Sequence, residues 1–545
     1  MFGRRRRRST FASRRPRRGA PPWLQAGTAS YRRQKHRNWT ARFVVLGVFA
    51  LIAAGAAYFV WHQRLISRER DGAHRYALAW SKGDVTGMWN ALDDHSRTAY
   101  PLARFKALVA SANRRATVED IRLGKPSSPD GGAVQQPVAV RTRLFGTLRG
   151  RVVLKVDHSG HVTWSPDMRL PGVRPGEEIS RRTGRQPRPG LVKTRGGQPM
   201  SGVPALAAFV PGVEKRFART LHGTPGAELR FGKRLIASVP VHNGHSVHST
   251  MSAKLQAVAT SALGNRLGGV AVLRPSDGSV LALAGIADSA PQPPGSTFKM
   301  ITLTGVLTAH VAKPTDVFPV RTAATLDGVR LANANNESCG GSLVTSFANS
   351  CNSVFAPLGA RLGAKRLVAM AERFGFNHRP RVPVAKPSTI SQPKDLRDAL
   401  AVGAAAIGQD KDLATPLEMA SVAATIGERG VRADPRVALT DPVVRRRVAS
   451  AHVAAEVRDM MIEVVRNGTG TAAALPGVTV AGKTGTAELH VGGGASNNSN
   501  LDAWFAAFAP AGHPRVAVAV MLVGAGFGGQ AAAPIARQVL SAALG

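Results

Sequence analysis

Hydrophobic and polar positions divide the chain into stretches of different texture. Phe43 to Trp61 is a run of 19 residues without a charge. As a helix rising ~1.5 Å per residue it spans a hydrocarbon core of ~30 Å. Tyr58 and Trp61 lie near its far end, where amphipathic rings favour a membrane interface. The next stretch, 66–180, has a mixed pattern that predicts a small α+β module. Ala73–Trp89 has helical spacing with Tyr76, Trp80 and Trp89 as anchors. Val138–Leu144 and Gly150–Val156 alternate like strands, and Asp157–Gly160 reads as a turn before His161–Trp164. From Arg181 to Pro204 Arg, Gly, Pro and Gln dominate, which predicts a loosely packed linker, and a short helix is expected over Val213–Leu221.

From residue 249 onward the pattern is that of one long folded unit. A helix is expected over Ser252–Leu263, then a hairpin formed by Gly269–Arg274 and Ser279–Ala284. An apolar run at helical spacing follows, with Phe298, Ile301, Leu303, Val306 and Leu307 on it. Helices are expected within 354–375 and 415–427. Strands are expected at Val478–Ala481, Ala503–Ala509 and Val516–Val523, and a closing helix at Ala532–Leu544. Antiparallel strands from both ends with helices between them predict an α/β sandwich.

Charge changes this picture at the N-terminus. The net charge is +40, and residues 1–42 hold 13 Arg and one Lys without an acid, so +14 of it sits there. Such a flank places residues 1–42 in the cytoplasm and the chain after the span outside, with anionic membrane lipid as the partner of the tail. A cleaved signal would have a shorter apolar region and a small-residue cleavage site. Nucleic acid is not expected as a partner of a body outside the cell. Cys339 and Cys351 stand 12 positions apart in what is then an oxidising compartment, so a disulfide is expected, with two buried free thiols as the alternative. His242, His245 and His248 recur every third residue, but no Cys or carboxylate joins them at ligand spacing, and no metal is expected.

The candidate chemistry centres on Pro293-Pro294-Gly295-Ser296-Thr297-Phe298-Lys299. Ser296 is expected at a helix start with Lys299 one turn on, a hydroxyl and an amine on one face. The pattern is not unique, since Ser391-Gln392-Pro393-Lys394 repeats it, but Pro393 and its surroundings favour a loop there. Ser350-Cys351-Asn352 follows 54 positions after Ser296, and Lys483-Thr484-Gly485-Thr486 a further 133 on. Gly477–Thr484 also satisfies a phosphate-loop pattern. Its inner residues are strand formers, and Gly485–Gly494 reads as a strand end and flexible loop where a helix would be needed.

In this order the three motifs resemble those of penicillin-binding transpeptidases, with Cys351 inside the middle one. Ile407-Gly408-Gln409, Thr415–Ala420, Trp504–Pro510 and Ala533–Ala536 are also similar to the family, so the resemblance spans 249–545. Residues 66–180 look more weakly like the nuclear-transport-factor-like domain of some class B members, and 205–245 like the connecting dimerisation region. The resemblance implies a membrane-anchored peptidoglycan D,D-transpeptidase without glycosyltransferase activity or cofactor. Its partners would be stem peptides, β-lactams and a separate glycosyltransferase. Ser296 would be the nucleophile and Lys299 its base. Ser350 would relay a proton, and Asn352 would hold Lys299 or the substrate amide. Lys483, Thr484 and Thr486 would bind the substrate carboxylate, and Gly485 would make room for substrate backbone. The N–H groups of Ser296 and Thr486 would form the oxyanion hole. Alternatives are a β-lactamase or D,D-carboxypeptidase, against which the span and module speak. A non-catalytic β-lactam sensor or scaffold is the other, against which the intact Ser296, Lys299 and Lys483 speak.

Overall fold

The computed structural model describes residues 39–383, 385–409, 411–488 and 500–545. Most of the expected tail (1–38) and the end of the loop expected up to Gly494 lie outside the described residues. The chain forms two compact units, Met1–Glu177 and Glu178–Gly545.

In the first unit a single helix α1, Trp39–Ser81, contains the apolar run. It is long and apolar enough to cross a membrane, and none of its apolar window is buried by protein. Span and module were expected as separate elements, yet no break divides them: the last turns of α1 bury Ala73, Tyr76, Ala77 and Trp80 in the module core. The helix expected to run on to Trp89 stops at Ser81. Gly83 adopts φ +71°, and Asp84 then caps a new short helix, Val85–Asn90, through the Gly87 N–H at 2.8 Å. Helix α2, Leu102–Ala116, precedes the antiparallel sheet β1 (Val118–Leu123), β2 (Ala133–Thr142), β3 (Gly146–Val156) and β4 (Val162–Thr163). Trp164 closes this core, its ring edge-on to Phe105 and Tyr100 at 4.8 Å from each.

In the second unit, helix α3 (Ala253–Leu263) precedes strands β5 (Gly268–Leu273) and β6 (Val280–Gly285). Helices α4 (Lys299–Thr308), α5 (Asn352–Leu362), α6 (Pro416–Gly427) and α7 (Ala451–Arg466) follow. Strands β7 (Ala481–Glu488), β8 (Leu501–Ala509) and β9 (Val516–Leu522) and helix α8 (Gly528–Leu544) complete the unit. The strands form one antiparallel sheet in the order β6-β5-β9-β8-β7. Alternate residues serve opposite faces. Ala517, Ala519 and Met521 join the core that holds α4, α5, α6 and α7, while Val516, Val518, Val520 and Leu522 join the core that holds α3 and α8. Continuous apolar runs in β8 and β9 thus follow from burial on both faces.

Two expectations fail here. Residues 181–204 are not a loose linker: Val192 and Met200 lie in the main core, and Ile179–Thr183 pairs with Ala227–Phe231. The apolar anchors there are single and irregularly spaced among Gly, Pro and Arg, so no periodicity announces them. The strand expected at Val478–Ala481 instead starts at Ala481 and runs to Glu488, so the Lys483 motif lies inside it. Eight consecutive pairs with β8 hold this edge strand despite Gly482 and Gly485, whose strand propensity is low. With Lys483 and Thr484 in mid-strand, the segment forms no phosphate loop.

Candidate active site

Two prolines and a glycine set up the turn that carries Ser296. Gly295 has φ +51°, and a Cβ there would stand 2.4 Å from the Thr486 carbonyl oxygen, so only glycine lets the turn lie against β7. The Gly295 N–H donates to Gly408 O at 2.9 Å, and the Thr297 hydroxyl donates to Pro294 O at 2.7 Å. Ser296, half-buried, occupies the resulting 3₁₀ turn Gly295–Phe298, which runs directly into α4. Gly485 presses on the same turn from β7. A Cβ on it would meet Thr297 Cγ2 and Trp504 Cβ at 2.8 Å. Its missing side chain seats the turn on the strand.

Lys299 begins α4 and is fully buried. Its Nζ donates to Ser350 O at 2.7 Å and to Asn352 Oδ1 at 2.6 Å, with Ser350 Oγ at 3.4 Å. Asn352 is itself oriented, its Nδ2 donating to Ala332 O at 2.7 Å. Lys483 is equally buried, and its Nζ donates to Ser350 Oγ at 2.9 Å and to Thr484 O at 3.0 Å. The Ser350 hydroxyl therefore stands between two amines. Each amine also faces an aromatic ring, Lys299 that of Phe355 at 5.7 Å and Lys483 that of Phe347 at 5.5 Å.

Burial is the main electrostatic fact. It pushes the Lys299 ammonium well below the usual lysine range, and the Lys483 charge lowers it further. Burial lowers Lys483 to about 7. Removal from water disfavours the charged amine, and a second amine at the same hydroxyl disfavours it again. Lys299 can thus be a neutral base near neutral pH, the condition for taking a proton from a serine hydroxyl.

Ser350 holds this position at φ +62°, a left-handed conformation that costs a non-glycine residue ~1–2 kcal/mol. Its neighbours supply the constraint. Cys351 donates its N–H to Ser346 O at 2.9 Å and is joined to Cys339 by a disulfide with Cα atoms 5.4 Å apart. Asn352 then opens α5.

The structure thus links Lys299, Ser350, Asn352, Lys483 and Thr484 through hydrogen bonds and packs the turn that holds Ser296, through Gly295 and Thr297, against the strand that carries Thr486. Thr484 is buried, with its hydroxyl 2.6 Å from that of Thr469. The half-buried Thr486 accepts a long hydrogen bond from the Gly528 N–H at 3.5 Å. Sequence reasoning missed Thr469, the Ala332 carbonyl and the two phenylalanines. The Gly468-Thr469-Gly470 punctuation before β7 was the one available signal for Thr469.

Comparison with known proteins points the same way. The family described as the penicillin binding protein transpeptidase domain matches residues 268–541. A curated relative from Mycolicibacterium smegmatis, peptidoglycan D,D-transpeptidase PbpA, is 33% identical over 410 residues, covering 64% of this chain and 82% of that protein. The PbpA of Mycobacterium tuberculosis is 36% identical over 301 residues, 50% of this chain and 59% of that one. Among solved structures, penicillin-binding protein A from M. tuberculosis, as a ceftriaxone acyl-enzyme complex, superposes with a TM-score of 0.56 at 27% identity. It covers 66% of this chain and 99% of that one. The D,D-transpeptidase domain of a peptidoglycan glycosyltransferase from Eggerthella lenta gives 0.58 at 29% identity with the same coverage.

Proposed function

The chain belongs to the penicillin-binding protein transpeptidase family, and from that premise we propose that it cross-links peptidoglycan stem peptides through an acyl-enzyme on Ser296. The carrying observation is the Ser350 hydroxyl set between Lys483 at 2.9 Å and Lys299 at 3.4 Å, both lysines buried and beside the Ser296 turn. The relatives named D,D-transpeptidases and the related β-lactam acyl-enzyme complex support the substrate class.

The lysine–serine network supports the following cycle. Neutral Lys299 takes the Ser296 proton as Oγ attacks the carbonyl between two D-alanines. The N–H groups of Ser296 and Thr486 receive the developing oxyanion, each donor contributing ~2.7–4 kcal/mol in comparable sites. The Ser350 hydroxyl passes a proton to the departing amine, and Asn352 keeps Lys299 in register. Lys483, when protonated, and the Thr486 hydroxyl attract the terminal carboxylate. Thr484, turned toward Thr469, acts by holding Lys483 in place through its carbonyl. An acceptor amine then takes the acyl group. A β-lactam would acylate Ser296 in the same way.

Helix α1 supports a membrane anchor, and the basic flank supports a cytoplasmic N-terminus, contact with anionic lipid, and a catalytic unit outside. For residues 66–180 we propose a spacer of the nuclear-transport-factor-like kind. Its helices and four-stranded sheet support that reading, and we assign the chain transpeptidation rather than glycosyl transfer. A separate glycosyltransferase would then supply the strands, and residues 205–245 would serve as a dimerisation or pedestal region.

Reaction with defined stem peptides tests the proposal. Amide formation with an amine acceptor is the expected result. Release of D-alanine to water without cross-link would reassign the chain as a carboxypeptidase, and rapid turnover of penicillin as a β-lactamase.

A further inference from the structure

At the opposite end of the sheet from Ser296, a cavity of about 390 Å³ opens between α3, β6, the start of β9 and the end of α8. The register gives its distance from the site. Thr486 pairs with Ala503 and Ala503 with Leu522, whereas the cavity is lined at Val516, six residues further along β9 (522 − 516), or ~20 Å at ~3.3 Å per residue.

The cavity has two kinds of wall. Leu255, Leu281 and Val516 make one side apolar, and Arg195, Arg274 and Arg515 supply three guanidinium groups. Counter-charge is scarce. Asp277, whose charge acts on Arg195, receives Arg436 Nη2 at 2.6 Å, and Arg274 reaches it only at 3.8 Å. Arg195 is the most telling member: its Nη1 is buried without a hydrogen-bond partner among the described residues. Burial and the Arg274 charge both hold its guanidinium below the usual range. A buried guanidinium N–H without a protein acceptor leaves a donor that an acceptor from outside the chain can satisfy in this cavity.

We propose that this cavity binds a phosphate monoester carried on an apolar body. The three guanidiniums, with Asp277 largely satisfied by Arg436, match a dianion better than a single carboxylate. The leucine and valine wall takes the apolar part, and the volume exceeds what a bare phosphate needs. Ser252 and Ser276, also on the wall, offer hydroxyl donors to the remaining oxygens. The site is separate from the acylation site and takes a ligand of different charge density.

Calorimetric titration of the full chain in an uncharged detergent tests this with hexyl phosphate, inorganic phosphate and hexanoate. Hexyl phosphate is expected to bind one site per chain and more tightly than the other two. Arg195→Gln and Arg274→Gln should each weaken it about tenfold, the loss of one charge-assisted hydrogen bond, and leave β-lactam acylation unchanged. Arg515→Gln, at an exposed position, provides the same test should either half-buried variant fail to fold. Dihexanoyl phosphatidic acid separates the sources of such a ligand. Tighter binding than hexyl phosphate assigns a membrane lipid and weaker binding a soluble phosphoester, and both orders support the proposed chemistry. Equal affinity of wild type and all three variants, or no binding, overturns the site. Hexanoate binding as tightly as hexyl phosphate overturns the phosphate assignment, and inorganic phosphate doing so overturns the role of the apolar wall.

Discussion

The same tetrapeptide pattern occurs twice in one folded unit and meets opposite fates. Ser296-Thr297-Phe298-Lys299 forms a turn and helix start in which Lys299 is fully buried. Ser391-Gln392-Pro393-Lys394 forms an irregular loop in which Lys394 is exposed. The difference lies outside the tetrapeptides. Gly295 accepts a positive φ and lies against β7, whereas Pro393 removes an N–H and prevents a helix from continuing. Around Lys299 stand Phe355, Asn352 and Lys483, all supplied from distant sequence. A serine and a lysine at this spacing acquire chemistry only when burial lowers the amine and a fixed acceptor aims it.

That contrast can be broken by substitution. Ser296→Ala should abolish covalent labelling by a fluorescent penicillin, while Ser391→Ala leaves it unchanged; gel fluorescence reads both. Lys299→Met should slow acylation by ~10²–10⁴-fold, the usual contribution of a positioned base, with Lys394→Met at the wild-type rate in stopped-flow traces.

The next effects probe what holds the buried pair in place. Replacing Cys339 and Cys351 together by serine removes the link beside Ser350, closing a 12-residue separation. Thermal unfolding should report ~3 kcal/mol of lost stability, with slower acylation as Ser350 loses its constraint. Gly485→Ala drives a methyl group into Thr297 and Trp504 and should cost ~1–3 kcal/mol.

A pH series sharpens the comparison further. Lys483 titrates at about 7 in the fold and near 10.5 when unfolded. Between those values the unfolded chain binds more protons, so stability should rise with pH, by ~1.4 kcal/mol per pH unit for this lysine. Below about 7 its contribution to the slope vanishes, because both states are protonated. Lys483→Met should flatten the rise. Acylation should fall as the pH drops, because protonated Lys299 is no base.

Much of this was legible in the chain. Ordered motifs flagged Lys299, Ser350, Asn352, Lys483 and Thr484 of the lysine–serine network but neither Thr469 nor the Ala332 carbonyl, and strands were expected at Ala503–Ala509 and Val516–Val523, where β8 and β9 lie. What escaped has a common physical cause. Irregular single anchors such as Val192 and Met200 leave no periodicity, so a packed segment read as a linker. The strand β7 draws its stability from pairing with β8 rather than from its own propensity, so its start was placed too early. That Gly485 also seats the turn carrying Thr297 depends on packing between segments far apart in the chain. The continuity of α1 was hidden because apolar and amphipathic stretches of one helix look like two elements. The environment of Lys299 depends on contacts more than 50 residues apart, such as Lys299 with Asn352 at a separation of 53. No local pattern carries them.

The central claim is that Ser296 is the acylated nucleophile, made reactive by the buried Lys299. Peptide mapping of the penicillin-treated full chain by mass spectrometry tests it most directly. The account predicts a single stable adduct, on the peptide containing Ser296. An adduct on the peptide containing Ser391, or on Ser350, would contradict it.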